Sequence, residues 1–488
     1  MMAVPLKQQT PLCVDLDGTL LKSDLSFELL LVIIRTQPWN LVPLLTTLLQ
    51  SGLAPFKQRL ASSAQLDVTR LPYHLPVIHY LERQAQRRPL WLCTGSDQKI
   101  ARQVADHLGC FAGVIASDGE VNCTGERKAE ALVGRFGPGG FDYVGNERKD
   151  LAVWQAGRRA LLVTRSRRFA LWVTQRVKLQ RIFWGKPLSF KHCVKAIRAH
   201  QWSKNLLILV PLLLGHQALP AGTLDRALLT LAAFCTLASA TYIINDLMDL
   251  SADRLHHQKR NRPYASGQIP ISTGLSLVPL LLGLTAGLAL LLPPVIQGML
   301  LLYGLATLAY TFYLKHLLLV DVFTLAGLYC LRVLTGMLLV GGAGSFWLMA
   351  FSLFFFLSLA MAKRVTEIIH TVRLQPRAER VRGYRTRDSQ VLTAFGVGCA
   401  IVASLVITLY FNGEKVQTLY AWPALLWLIC PLLLYWLTRV WLLTSRGELH
   451  EDPVLFALRD PTSLLLIGAS AGLVVLAANG DLWFDWLR

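Results

Sequence analysis

The feature that most constrains this chain is the spacing of its apolar runs. From about residue 205 onward long apolar stretches dominate and charges retreat into short clusters, whereas residues 1–157 mix charged, polar and apolar positions as a water-exposed domain does. A helix needs roughly 20 apolar residues to cross a bilayer. Apolar stretches cover 205–215, 227–246, 275–296, 299–312, 317–339, 346–361, 391–411, 419–440 and 463–478, several of them short of that length and the first most of all. Hydrocarbon offers no partner to an open amide, so such runs must be helices. The reading is an all-α polytopic membrane domain of nine transmembrane helices, the first the shortest, preceded by a soluble domain. A chain of 488 residues also exceeds what a single core accommodates.

A formal net charge of +19 would suit nucleic acid, but the basic residues sit at membrane edges, which argues against that partner. One set of loops carries Arg254, Lys259, Arg260 and Arg262, then Lys315, then Lys363, Arg364, Arg373, Arg377, Arg380, Arg382, Arg385 and Arg387, then Arg446 and Arg459. The alternate loops hold little beyond Lys415. The positive-inside rule therefore predicts a multi-pass protein of the inner (plasma) membrane, with the N-terminal domain cytoplasmic and Arg488 outside. The opening MMAVPLKQQT lacks an apolar core and a cleavage site, in keeping with that placement. Nine cysteines without a CxxC pair predict reduced thiols and no disulfide framework. Residues 158–191 interleave basic side chains with Trp172, Phe183 and Trp184. They read as a solvated linker or, as those aromatic anchors favour, a helix on the anionic leaflet. Self-association is left open by the sequence.

The segment YIINDLMDLSADRLHHQKRNRPYA, 242–265, carries Asp246, Asp249 and Asp253 at i, i+3 and i+7, with Asn245 beside them. On a helix those carboxylates share one face and repel one another unless a cation lies between them. Hard oxygen ligands next to Lys259, Arg260 and Arg262 are what Mg²⁺ and a diphosphate require. The pattern NDLMDLSAD resembles the NDxxDxxxD motif of the UbiA superfamily, membrane enzymes that join a diphosphate-activated substrate to a second one. More narrowly, the blocks at 199–212, 245–267, 310–332 and 446–460 are similar to decaprenyl-phosphate phosphoribosyltransferases. Where aromatic-acceptor members carry a second DxxxD pair, this chain has Asp321 followed by Leu325. The resemblance thus implies phosphoribosyl pyrophosphate as donor and a polyprenyl phosphate as acceptor, with Mg²⁺ held by Asp246, Asp249 and Asp253. Lys204, Lys315 beside Asp321, and Arg332 within a span are candidate contacts to the acceptor phosphate. His450, Glu451 and Asp452 fall in a matching block without a derivable role. The alternative is a polyprenyl transferase acting on an aromatic acceptor, with a degenerate phosphatase-like domain.

In the soluble part, PLCVDLDGTL is a short apolar strand emptying into DxDGT, which resembles haloacid-dehalogenase-like phosphatases. That likeness implies an α/β Rossmann-like domain over 1–157 with a helical cap at about 25–88, followed by the membrane domain at 192–488. It also implies Asp15 as nucleophile and Asp17 as acid and base, with Thr94 and Lys128 neutralising the phosphoryl group. Asp15, Asp150 and the Asp17 carbonyl would hold a second Mg²⁺, and Asn146 replaces a usual carboxylate. The cap contains LSFELLLVIIRTQPWNLVPLLTTLL, interrupted at Pro38. This stretch is either a buried cap core or a cap that dips into the leaflet.

Overall fold

The computed structural model describes residues 9–214, 221–341, 346–374, 380, 381, 383–449 and 452–479. Expectations for Arg377, Arg382, His450, Glu451 and Arg488, and for the side chains of Arg380 and Lys415, lie outside the described residues. The chain divides into two compact units, one of 1–197 with 242–279, the other of 198–241 with 280–488.

In the first unit, β1 (Leu12–Val14) is followed by four helices, α1 (Leu25–Thr36), α2 (Leu41–Ser51), α3 (Leu53–Ser63) and α4 (Leu75–Ala85). Then come β2 (Leu90–Asp97), α5 (Gln98–Leu108), β3 (Gly113–Ser117), α6 (Glu126–Phe136) and β4 (Asp142–Gly145). The unit continues through α7 (Leu151–Ala156), β5 (Arg159–Thr164), α8 (Arg167–Thr174), β6 (Leu179–Trp184) and α9 (Phe190–Ala196). The six strands form one parallel sheet in the order β3-β2-β1-β4-β5-β6. Helices cover both faces, which is why the strands read as nearly unbroken apolar runs. The order reverses beside β1, which pairs with both β2 and β4, so a crevice opens at its carboxyl end.

Residues 158–191 depart from the surface-helix and linker readings: they supply β5, α8 and β6. Ala160, Leu161, Leu162, Val163 and Phe183 are buried in the sheet, and Trp172 stacks on Phe169 beneath the Arg148 and Arg176 guanidinium groups. Of the aromatic anchors that suggested a leaflet, Phe183 is buried in the core and Trp172 is half-buried, while Trp184 stays exposed at the end of β6, and the sheet unit extends past 157. Between β1 and β2 the insertion is all helix. Pro38 ends α1 as expected, because it cannot continue the hydrogen-bond ladder, and it opens a 3-10 turn before α2.

The second unit is all-helical. Residues Ala199–Leu209 form a 3-10 helix, followed by α10 (Val210–Leu214) and α11 (Thr223–Met248). After α12 (Leu250–Leu255) of the first unit come α13 (Ile271–Ala289), α14 (Pro294–Phe312), α15 (Val320–Leu339), α16 (Phe346–Leu374) and α17 (Asp388–Phe411). The chain closes with α18 (Glu414–Leu419), α19 (Ile429–Arg446), α20 (Pro453–Ala457) and α21 (Pro461–Ala478). The unit boundaries fall inside α11 and α13.

Among the described residues eight helical segments are long and apolar enough to cross a membrane. The expected first span at 205–215 is not among them, since it is split between the 3-10 helix and α10. The break expected near 297 falls instead at Pro293 and Pro294, where Pro294 takes the first position of α14, a place that needs no N–H donor. The core lies among α15, α16, α17 and α19, where Gly396 lets Trp441 approach and the indoles of Trp436 and Trp441 donate to Ser463 and Ser358. Leu301, Leu305, Phe395 and Leu405 point outward, as lipid-facing side chains do.

Candidate functional site

At the carboxyl end of β1 the chain turns through Asp15-Leu16-Asp17-Gly18. Gly18 has φ +74°, and a Cβ there would meet the Asn146 amide, so only glycine fits the turn comfortably. Lys128 from α6 donates to Asp15 at 2.7 Å and to the Tyr143 hydroxyl at 2.9 Å. The Tyr143 hydroxyl in turn donates to Asp150 Oδ1 at 3.0 Å, and Lys128 stands 3.9 Å from the same oxygen. Asp150 Oδ2 accepts the backbone N–H groups of Asn146 and Glu147, both at 2.9 Å. Thr19 Oγ1 lies 3.1 Å from Asp15 and 3.0 Å from Asn146 Oδ1, one proton between two acceptors.

Asp17 is held from the other side. Ser96 donates to it at 2.6 Å, Thr94 at 3.4 Å, and the Leu25 N–H at 2.8 Å. Burial, against the Lys128 charge, pushes the Asp15 carboxyl up to about 6; burial and the Asp24 charge push Asp17 up to about 7. Asp15, Asp17, Thr94, Lys128 and Asp150 do come together. Sequence reasoning missed Ser96, Tyr143 and the cap residue Lys57, whose Nζ donates to the Gly95 carbonyl at 2.7 Å and to Asn122 at 3.2 Å. Ser96, two residues past Thr94 at the strand end, was the one with a readable signal.

The aspartate-rich segment belongs to the same unit. Its helix is interrupted at Asp249, which stands between α11 and α12, although Asp249 N still donates to the Asn245 carbonyl and Asp253 N to that of Asp249. Asp246 and Asp253 are buried and converge on Arg262, whose Nη1 lies 3.1 Å from one and 2.6 Å from the other. Burial raises the Asp253 carboxyl against the Arg262 charge. Among the described residues no three His, Cys, Asp or Glu side chains form a metal-holding group. The donor chemistry nevertheless suits a hard cation: an all-oxygen pair shares one point, and a guanidinium takes that point here. At the sheet site Lys128 likewise stands between Asp15 and Asp150. Asn245, on α11, is half-buried; in the turn leading to Arg262, Lys259 is half-buried and Arg260 exposed.

In the second unit Lys204 and Lys363 both meet Asp452 Oδ2, at 2.7 and 2.8 Å, and Tyr329 donates to Oδ1 at 3.3 Å. Burial alone would raise that carboxyl, but the two ammonium groups hold it well below the usual range. Two cations thus meet one carboxylate, and Lys363 and Asp452 line a small pocket with Tyr329, Leu359 and Pro453. Lys363, read only as a loop charge, is the residue the sequence undervalued. Arg332 is buried, but its donors are spent on neutral acceptors: Asn205 Oδ1 at 2.8 Å, the Leu328 carbonyl at 2.6 Å and Tyr303 at 2.8 Å. Among the described residues it has no carboxylate partner. Asp321 is fully buried and bound by Arg364 and Tyr384, a structural pairing rather than an open ligand. Lys315 is buried in the turn before α15.

Residues 208–459 match the UbiA prenyltransferase family. Over 474 residues, 96% of this chain and 91% of the other, the chain is 36% identical to protein y4nM of Sinorhizobium fredii. It is 30% identical to nodulation protein NoeC of Azorhizobium caulinodans over 299 residues, 60% of this chain and 95% of that one. It is 33% identical to decaprenyl-phosphate phosphoribosyltransferase of Corynebacterium glutamicum over 180 residues, 36% of this chain and 54% of that one.

Proposed function

Because this chain belongs to the UbiA prenyltransferase family of membrane transferases, we propose that it transfers 5-phosphoribose from phosphoribosyl pyrophosphate to a polyprenyl phosphate. We further propose that its sheet unit is a haloacid-dehalogenase-like phosphatase that removes the 5-phosphate of the product. The observation that carries the transferase reading is the Asp246–Arg262–Asp253 constellation at the end of a membrane-crossing helix. Similarity to decaprenyl-phosphate phosphoribosyltransferase supports the choice of donor and acceptor.

Asp246 and Asp253, with Asp249 nearby in sequence, would hold Mg²⁺, which neutralises a diphosphate leaving group when bound. Arg262, Lys259 and Arg260 would take the remaining phosphate charge. The acceptor phosphate is already ionised at neutral pH, so the site needs cations rather than a base. Lys204 and Lys363, sharing a single carboxylate, suit that role. In the sheet unit Asp15 would attack the phosphomonoester, Asp17 would protonate the departing oxygen and then activate water, and Lys128 would neutralise the phosphoryl charge. A second Mg²⁺ would rest on Asp15, Asp150 and the Asp17 carbonyl.

Membranes supplied with labelled phosphoribosyl pyrophosphate and polyprenyl phosphate should form labelled lipid and release pyrophosphate. Asp246→Ala should lower that rate by about 10²–10³-fold while leaving the protein inserted. Label that stays in the donor, with consumption of a prenyl diphosphate and an aromatic acceptor instead, would overturn the proposal.

A further inference from the structure

Between Arg35 and Lys57 the chain carries no charged residue. This stretch forms the Pro38–Asn40 turn, α2 and the start of α3. Leu44 is buried inward against the cap core, yet the opposite face is apolar as well: Val42, Leu45 and Leu49, at i, i+3 and i+7, are 69%, 56% and 78% exposed. Trp39, in the turn before α2, is 70% exposed and Leu53, opening α3, is 55% exposed. The hydroxyls of Thr46 and Thr47 donate back to the Pro43 carbonyl, so neither proton needs a water to accept it. A patch of this kind on a water-exposed cap is costly unless something apolar covers it.

The preceding helix shows what lies beside it. Glu28, in the first turn of α1, forms a two-pronged ion pair with Arg254 at 2.6 and 3.1 Å. Arg35, in its last turn, has Nη1 3.5 Å from the carbonyl of Met248, the final residue of the membrane-crossing helix α11. Following α1 from Glu28 to Arg35 therefore moves from residue 254 back to residue 248, toward the end of the span. The chain reaches the Trp39 turn and α2 next. Tryptophan followed by an uncharged apolar helix, with Arg35 before it and Arg59 after it, is the composition of a segment lying in a bilayer interface.

We propose that α2 docks its Val42–Leu45–Leu49 face, with Trp39 and Leu53, into the phospholipid leaflet at the Met248 end of that span. The hairpin of α2 and α3 then has two sides: lipid under α2, and Lys57 of α3 at the strand end that carries Thr94 and Ser96. A cap so placed presents the sheet site to phosphates borne on lipids rather than to those in bulk water.

The test places p-benzoylphenylalanine at Leu49 in the full chain, reconstituted in nanodiscs of equal parts phosphatidylcholine and phosphatidylglycerol, with Gln103 on α5 as the exposed control. After irradiation, mass spectrometry should find about tenfold more phospholipid adduct at Leu49 than at Gln103. Leu49 is exposed, so the replacement disturbs no packing. A crosslink into a second copy of the chain without lipid adduct would make the occupant another protomer and overturn the proposal. So would adduct at Leu49 no greater than at Gln103, since the face would then be solvated.

Discussion

Arg262 occupies the point between Asp246 and Asp253 that a cation must fill if both carboxylates are ionised. Replacing it with alanine takes a charged partner from two buried carboxylates. Arg262→Ala should therefore lower the Mg²⁺ concentration needed for half-maximal transfer, since the ion no longer competes with the guanidinium for that point, while raising the KM for the diphosphate donor by about tenfold, as charge-assisted hydrogen bonds are worth about 1.5–3 kcal/mol each. An unchanged Mg²⁺ requirement would argue that the arginine is incidental. Asp17 makes the converse case. Its folded carboxyl is raised from 3.8 to about 7, so the folded state gains protons relative to the unfolded one in between. That contribution to stability is complete below about pH 4 and lost as the pH rises through about 7. In metal-free buffer Asp17→Asn should thus stabilise the sheet unit at pH 8, by on the order of 1 kcal/mol, and scarcely at pH 4. Thermal unfolding at the two pH values checks it. For Arg332 the structure supplies neutral partners, so Arg332→Leu removes the donors that Asn205 Oδ1 and the Tyr303 hydroxyl accept and should cost about 1–3 kcal/mol of stability. A selective rise in KM for the lipid acceptor without loss of stability would instead favour direct contact with the acceptor phosphate.

At the scale of elements, helix packing in the second unit depends on a close approach that a single glycine allows. A Cβ at Gly336 of α15 would stand 2.1 Å from the Ile208 carbonyl and 2.9 Å from Pro211 Cδ. Both contacts are to rigid groups that cannot swing aside. Gly336→Ala should therefore push α15 from the Ala199–Leu209 segment, which carries Lys204, and lower the unfolding midpoint by several degrees, as overpacking costs about 1–3 kcal/mol. Transfer should fall with it. Gly398 on α17 meets nothing within 4 Å, so Gly398→Ala serves as the neutral control. The 158–191 segment shows the limit of reading elements from composition: basic residues alternating with Leu, Val and Trp suit an edge of a parallel sheet as well as a membrane surface. Only pairing with β4 decides between them.

At the scale of the whole chain, the proposed function joins two chemistries by fusion, and Asp15→Asn would separate them. It removes the nucleophile's charge while keeping its size, and the aspartates of the transferase site lie on other residues. The variant should still make polyprenyl phosphoribose but accumulate it with the 5-phosphate attached, which mass spectrometry of the lipid extract reads directly. If the unaltered protein also leaves that phosphate in place, the sheet unit acts on another substrate or is degenerate through Asn146.

The sequence alone carried the membrane character, the DxDGT strand end and the aspartate-rich segment, because each depends on residues within one or two helical turns or on one strand. Bilayer thickness and backbone hydrogen bonding leave such patterns few alternatives. The tertiary structure alone decided that Lys204 and Lys363 share Asp452, that Tyr143 links Lys128 to Asp150, and that Arg332 and Asp321 are tied up internally. Those partners are far apart in the chain, and a charge in a sequence carries no sign of which distant group will neutralise it when both are taken out of water.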